Sequence, residues 1–213
     1  MTPADPHRGG PVLAAGQPLD QAAGALILVH GRGDSAVGIL GLAEVLHQPD
    51  FAYLAPQAAG GTWYPYSFLA PITDNEPGIS SGIATLGDVV ESVAAAGLPY
   101  ERIVIGGFSQ GACLVCEFVA RHPGRYGGLL AFSGGLIGPD GTPRDYAGDL
   151  EGTPVFLGCS DVDFHIPKQR VELTSQVLEG MGAEVTLRLY PGMGHTINQE
   201  EIDFGRTLLA AVT

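Results

Sequence analysis

Short apolar runs alternate with longer amphipathic ones from residue 25 onward. The apolar runs are Ala25–Val29, Phe51–Leu54, Arg102–Ile105, Gly128–Phe132, Pro154–Leu157 and Val185–Tyr190. Most lack polar alternation, as strands covered on both faces do. The segments between them repeat apolar residues at helical spacing, predicting helices over Ala36–His47, Ser80–Ala96, Ser109–Arg121, Pro167–Gly180 and Gln199–Ala211. Gly97, Gly124 and Gly180 stand where left-handed helix C-caps are expected. Strands alternating with helices predict right-handed βαβ units: an α/β fold with a mostly parallel central sheet and helices on both faces.

Three stretches depart from this rhythm. Residues 1–22 are rich in Pro, Gly and Asp and read as an N-terminal extension, with residues 11–16 as a short edge strand. Residues 134–153 form a Gly/Pro/Asp-rich connection. Residues 56–79 form a long loop carrying Trp63, Tyr64, Tyr66, Phe68 and Leu69. Loops of this length in a compact domain tend to be functional. The aromatic group suits a substrate pocket and core packing equally, since both rest on the same burial preference. With no internal repeat and no second composition regime, residues 1–213 read as one domain.

The chemistry concentrates around residues 102–123, where an apolar run meets Gly107-Phe108-Ser109-Gln110-Gly111 and a helical pattern begins at once. This is G-x-S-x-G between a strand and a helix. A sharp turn of that kind lifts the Ser109 hydroxyl above the sheet at a helix N-terminus, where developing negative charge is favoured. A Gly-rich turn with a serine cap is the plainer reading of the pentapeptide alone; its strand–helix setting favours the nucleophile.

A serine hydroxyl needs a base. The run at 154–159 leads into Ser160-Asp161-Val162-Asp163-Phe164-His165-Ile166-Pro167, and the last strand leads into Pro191-Gly192-Met193-Gly194-His195. The order Ser, Asp, His along the chain predicts His195 as base and Asp163 as the acid that orients it. Asp161 competes for the acid role and otherwise supports the loop; Asp163 is preferred. His165 reads as loop structure or pocket wall, His47 and His122 as helix C-terminal residues, and His7 as part of an unanchored terminus. The turn His30-Gly31-Arg32-Gly33-Asp34, after the first long apolar run, predicts the second half of an oxyanion hole. Its donors are the backbone N–H groups of Arg32 and of Gln110, which follows the nucleophile. A phosphate-binding turn ranks lower, because the chain's only lysine is Lys168. The Arg32 guanidinium is read as a partner for an acidic substrate group or, more simply, for Asp34. Phe164 and Met193 flank the triad loops and join Trp63, Tyr64 and Phe68 as expected substrate contacts.

Composition narrows the partners. Lys plus Arg total 10 against 23 Asp plus Glu, a net charge of −13, with 45% hydrophobic residues. That charge disfavours nucleic acid and stable association with anionic membranes. The substrate expected is a small neutral or apolar molecule. Cys113, Cys116 and Cys159 are too few for a disulfide framework. Cys113 and Cys116, three apart on one helix, read as packing. Neither a signal peptide nor a membrane span is legible, so the cytoplasm is the expected compartment. Monomer and homodimer both remain open.

Together LILVHGRGDSA (26–36), YLAPQA (53–58), WYPYSF (63–68), IVIGGFSQGAC (103–113), SDVDFHIP (160–167) and YPGMGHTI (190–197) resemble the phospholipase/carboxylesterase family of α/β-hydrolases, which includes acyl-protein thioesterases. The resemblance implies an α/β-hydrolase fold with a small lid. It implies a serine hydrolase of carboxylic esters or thioesters, using no metal or organic cofactor. It supports the triad Ser109, Asp163, His195 and the donors Arg32 and Gln110. The chain departs from the family where Phe164 replaces a proline after the acid and Gly158-Cys159-Ser160 replaces His-Gly-Asp. The aromatic loop differs too, which favours simple esters over acyl-protein substrates.

Overall fold

A computed structural model of the chain describes residues 5–212; residues 1–4 of the expected N-terminal extension lie outside the described residues. Seven strands form one sheet: β1 Val12–Gly16, β2 Gly24–Val29, β3 Phe51–Pro56, β4 Ile103–Phe108, β5 Gly128–Phe132, β6 Pro154–Ser160 and β7 Glu184–Tyr190. Their order is β1-β3-β2-β4-β5-β6-β7. Only β1 runs antiparallel to its neighbour, lying along β3 at the sheet edge; the other neighbouring pairs are parallel.

Successive side chains of a strand point to opposite faces, and here both faces are covered. Ala25, Ile27 and Val29 of β2 pack on one side with helices α4 (Gly78–Ala95), α5 (Gln110–Arg121) and α6 (Lys168–Gly180). Leu26 and Leu28 pack on the other with α1 (Ala36–Ile39), α2 (Gly41–Val45) and α7 (Gln199–Ala210). A further short helix, α3 (Ile72–Asn75), lies within the aromatic connection. Burying each large aliphatic side chain contributes about 1.5–3 kcal/mol, which explains why the central strands contain so few polar residues.

Several local expectations change. The helix predicted over 36–47 is two short helices meeting at Leu40. Strand β4 runs three residues past its expected end, because Gly106, Gly107 and Phe108 continue the ladder with β5. Strand β7 is an edge strand and is largely half-exposed rather than covered on both faces. Of the three glycine caps, Gly97 adopts the left-handed conformation, with φ at +107°. Gly124 does not, and Gly180 stays inside α6, whose left-handed residue is Gly182 at +83°. Backbone bonds from Gly182 N–H to Glu179 O and from Ala183 N–H to Leu178 O close that helix instead.

The strand order reverses at β2: β3 lies on one side of it and β4 on the other. Ligands of parallel α/β sheets bind beyond the carboxyl ends of strands at such a reversal. Gly31–Gly33 and Ser109 both emerge there.

Candidate active site

Ser109 sits between β4 and α5 with φ 57° and ψ −119°, a conformation few non-glycine residues adopt. The turn is pinned by Ser109 N–H donating to Phe132 O at 2.9 Å. It is tight because its flanks are bare: a Cβ on Gly107 would come 2.7 Å from the Gly111 carbonyl carbon. One on Gly111 would overlap the Val29 carbonyl.

The two loops from the far side of the sheet reach this hydroxyl. His195 Nε2 lies 2.8 Å from Ser109 Oγ, and His195 Nδ1 lies 2.6 Å from Asp163 Oδ2. An ionised carboxylate only accepts, so Nδ1 carries the proton and Nε2 is free to accept from the serine. The Phe108 ring flanks His195 at 4.9 Å. Asp163 Oδ1 accepts the backbone N–H groups of His165 (2.8 Å) and Ile166 (3.1 Å). Desolvation pushes the Asp163 pKa up, but the hydrogen bonds from His195 and these two amides outweigh it and hold the carboxyl below its ordinary range. Asp161, the competing acid, accepts the Gly192 N–H at 2.8 Å and so braces the histidine loop. Ser160 Oγ, donating to Met193 O, braces it from the other side.

No protein acceptor takes the backbone N–H of Arg32 or of Gln110 among the described residues. Both residues line a cavity of about 550 Å³ shared with Ser109, His195, Tyr64, Tyr66, Phe68, Phe108, Cys113, His165 and Ile166. A hydroxyl, an imidazole and two free amides around one cavity, with a buried carboxylate behind the imidazole, can carry out acyl transfer. No cluster of three or more His, Cys, Asp or Glu side chains among the described residues is arranged to hold a metal ion.

The expected substrate contacts separate into two groups. Tyr64 and Phe68 reach the cavity wall. Trp63, Phe164 and Met193 stand outside it. Trp63 is 0% exposed and its indole N–H donates to His30 O at 3.0 Å, so its bulk serves the core. Phe164 is 82% exposed and packs on the His165 ring. The Met193 sulfur faces the Asn198 amide. Cys113 and Cys116 are fully buried, and burial pushes the Cys113 thiol up to about 12, which keeps it protonated.

Two further readings are corrected. The Arg32 guanidinium does not pair with Asp34; it donates to Pro65 O (2.8 Å) and Tyr66 O (2.6 Å). His7 is anchored, being 2% exposed, with its ring bonded to Trp63 O at 2.8 Å and to Ala59 N–H at 3.1 Å. His30, to which the sequence assigns no role, holds the turn that carries Arg32. Its Nδ1 donates to Gly31 O at 2.8 Å and its Nε2 accepts Ala58 N–H at 3.1 Å. Burial lowers its pKa, so the ring stays neutral as this pairing requires.

Comparisons with known proteins bear on the family and the fold. The family described as Phospholipase/Carboxylesterase matches residues 13–213. Acyl-protein thioesterase 1 of Eremothecium gossypii is 31% identical over 209 residues, spanning 84% of this chain and 83% of that protein. A phospholipase/carboxylesterase structure from Dyadobacter fermentans superposes with a TM-score of 0.91 at 41% identity, over 95% of this chain and 97% of that one. The structure of esterase PE8 superposes with a TM-score of 0.76 at 26% identity, over 96% and 98% of the two chains. Among the described residues no helix is long and apolar enough to cross a membrane.

Proposed function

We infer that this chain, which belongs to the phospholipase/carboxylesterase family of serine hydrolases, cleaves short- to medium-chain carboxylic esters through an acyl-enzyme on Ser109. It does so as a single hydrolase domain. The observation that carries this reading is the unbroken relay from Asp163 through His195 to Ser109, at 2.6 and 2.8 Å, opening onto a cavity with two unpartnered amides. His195 Nε2 takes the hydroxyl proton as Ser109 Oγ bonds to the substrate carbonyl carbon. The carbonyl electron pair moves to oxygen, and the N–H groups of Arg32 and Gln110 stabilise that charge. The intermediate collapses, the C–O bond to the alcohol breaks, and His195 returns the proton to the leaving oxygen. Water then repeats the sequence on the acyl-serine and releases the acid.

The cavity favours modest acyl groups: its wall of Tyr64, Phe68 and Ile166 is apolar, and its volume of about 550 Å³ suits a small ligand. Three free, buried cysteines and a net charge of −13 support a cytoplasmic setting and a substrate that is not an anionic surface. Thioester hydrolysis is a second reading, favoured by the Eremothecium gossypii relative. The test is a series of p-nitrophenyl esters from C2 to C16 beside an acyl-thioester, with wild type and Ser109→Ala. Turnover concentrated at C2–C8 and lost in Ser109→Ala is expected. Wild-type turnover in Ser109→Ala overturns the mechanism, preference for C12–C16 overturns the pocket reading, and preference for the thioester selects the second reading.

A further inference from the structure

We propose that the Arg32 side chain is a positioning residue for ester hydrolysis, clamping the turn that carries its own oxyanion-hole amide onto the aromatic segment that walls the cavity. This rests on the reading above, in which the backbone N–H groups of Arg32 and Gln110 meet the oxyanion. The geometry is two-pronged. Guanidinium Nη1 donates to Pro65 O at 2.8 Å and Nη2 to Tyr66 O at 2.6 Å, with Cζ 5.8 Å above the Tyr64 ring. The other donor residue grips the same segment. Gln110 Oε1 accepts Trp63 N–H at 2.9 Å, and its Nε2 donates to Tyr64 O at 2.8 Å. Both residues that offer a backbone N–H to the oxyanion therefore fasten their side chains to backbone groups of the successive residues 63 to 66.

The turn needs such a fastening. Arg32 lies between Gly31 and Gly33, and Gly33 adopts φ +77°, so the local backbone is intrinsically permissive. The backbone bond from Gly33 N–H to Gly61 O at 2.8 Å and the His30 ring, which bonds Gly31 O and Ala58 N–H, tie its base to the start of the aromatic connection but leave residues 64–66 to the side chains. The guanidinium adds two charge-assisted bonds in a fixed planar fork, which a lysine ammonium cannot reproduce. An oxyanion donor works only when it is already aimed at the position where charge develops. Loosening the fork should therefore reduce turnover more than substrate binding, although the backbone N–H itself survives any substitution except proline.

The experiment compares kcat and KM for p-nitrophenyl acetate and butyrate in wild type, Arg32→Ala, Arg32→Lys and Ser109→Ala. Melting curves confirm folding. Should Arg32→Ala not fold, Arg32→Met, which keeps the aliphatic stem over Tyr64, carries the same comparison. The expected result is a kcat about 10- to 30-fold lower in Arg32→Ala, with KM changed less than threefold. Arg32→Lys should recover only part of the loss. Adding guanidinium at tens of millimolar should raise Arg32→Ala turnover at least threefold, against an equal concentration of sodium chloride. A kcat within twofold of wild type, a loss confined to KM, or no rescue beyond the salt control overturns the clamp. If Ser109→Ala retains activity the esterase reading itself fails; if Ser109→Ala is inactive while Arg32→Ala matches wild type, only the clamp fails.

Discussion

Replacing Asp163 by asparagine separates the two aspartates that follow β6 and tests the relay at its buried end. The Asp163 side chain is 0% exposed, and both its oxygens are used. Oδ1 holds the backbone N–H groups of His165 and Ile166, and Oδ2 faces His195 Nδ1 at 2.6 Å. In Asp163→Asn the amide oxygen keeps the two backbone donors, because turning it away would leave both unpaired. The NH₂ then faces Nδ1, which must give up its proton to accept. The imidazole proton moves to Nε2, the atom that must accept from Ser109. The substituted enzyme thus keeps its shape and holds the base in the wrong tautomer. Losses of about 10⁴ in kcat, roughly 5.5 kcal/mol, follow from that inversion. Asp161→Asn is the control. Its Oδ1 accepts one exposed backbone N–H, from Gly192, which an amide oxygen serves equally well, so kcat should stay within about threefold.

The assay is initial-rate hydrolysis of p-nitrophenyl acetate, with equilibrium unfolding in parallel at neutral and acid pH. The sign of the pH effect follows from the direction of the shift. The folded-state pKa of Asp163 lies below its ordinary value, so its contribution to stability is present above that value and disappears as pH falls through the lowered one. Asp163→Asn should therefore lose stability at neutral pH and show a shallower decline in acid. An Asp163→Asn enzyme within tenfold of wild type, or an Asp161→Asn enzyme as impaired as Asp163→Asn, refutes the assignment of the acid.

Two other perturbations have defined outcomes. Glu201 is 0% exposed, caps α7 through Asn198 N–H, and is pushed by burial from 4.5 up to about 7. The folded state therefore holds a proton that the unfolded chain releases, so stability should fall by up to about 3 kcal/mol as pH rises from 4.5 to about 7. Glu201→Gln, which keeps an acceptor for the cap, should flatten that slope in melting curves at pH 5 and 8; parallel curves would sink the idea. Gly111→Ala places a methyl group against the Val29 and His30 carbonyls and should cost about 3 kcal/mol with loss of activity. Gly124→Ala meets open space and should stay within about 0.5 kcal/mol on the same denaturation assay.

The parts of the site that were legible in the sequence are those whose signal is local. The elbow is continuous: a buried strand, two glycines that cannot carry a Cβ, and a helix starting at Gln110. The proposed base and acid stand 86 and 54 residues from Ser109, yet each follows a strand, so chain order and topology single out His195 and Asp163, which the structure brings together with Ser109. The side-chain partners of Arg32 were not legible, because they are backbone carbonyls at Pro65 and Tyr66, and a carbonyl leaves no mark in residue type. His7 was misread for a related reason. Its surroundings are Pro and Gly, which signal loop, while its anchors are 52 and 56 residues away at Ala59 and Trp63.

Trp63 shows what decides between core and pocket when composition cannot. Every polar group it owns is used: its backbone N–H goes to Gln110, its carbonyl to His7 and its indole N–H to His30. A residue so committed joins the N-terminal segment, the oxyanion turn and the nucleophile helix, and has nothing left to adapt to a ligand. Its neighbour Tyr64 is as buried, at 2%, yet lies along the cavity with the Arg32 guanidinium over its ring. Apolar bulk predicts burial for both and cannot distinguish them. The distinction arises from the fasteners around Trp63, which fix the aromatic segment so that Tyr64 and Phe68 form a wall. Changing Tyr64 or Phe68 should therefore shift the preferred acyl length, whereas changing Trp63 should disturb the Arg32 turn and lower turnover for every ester alike.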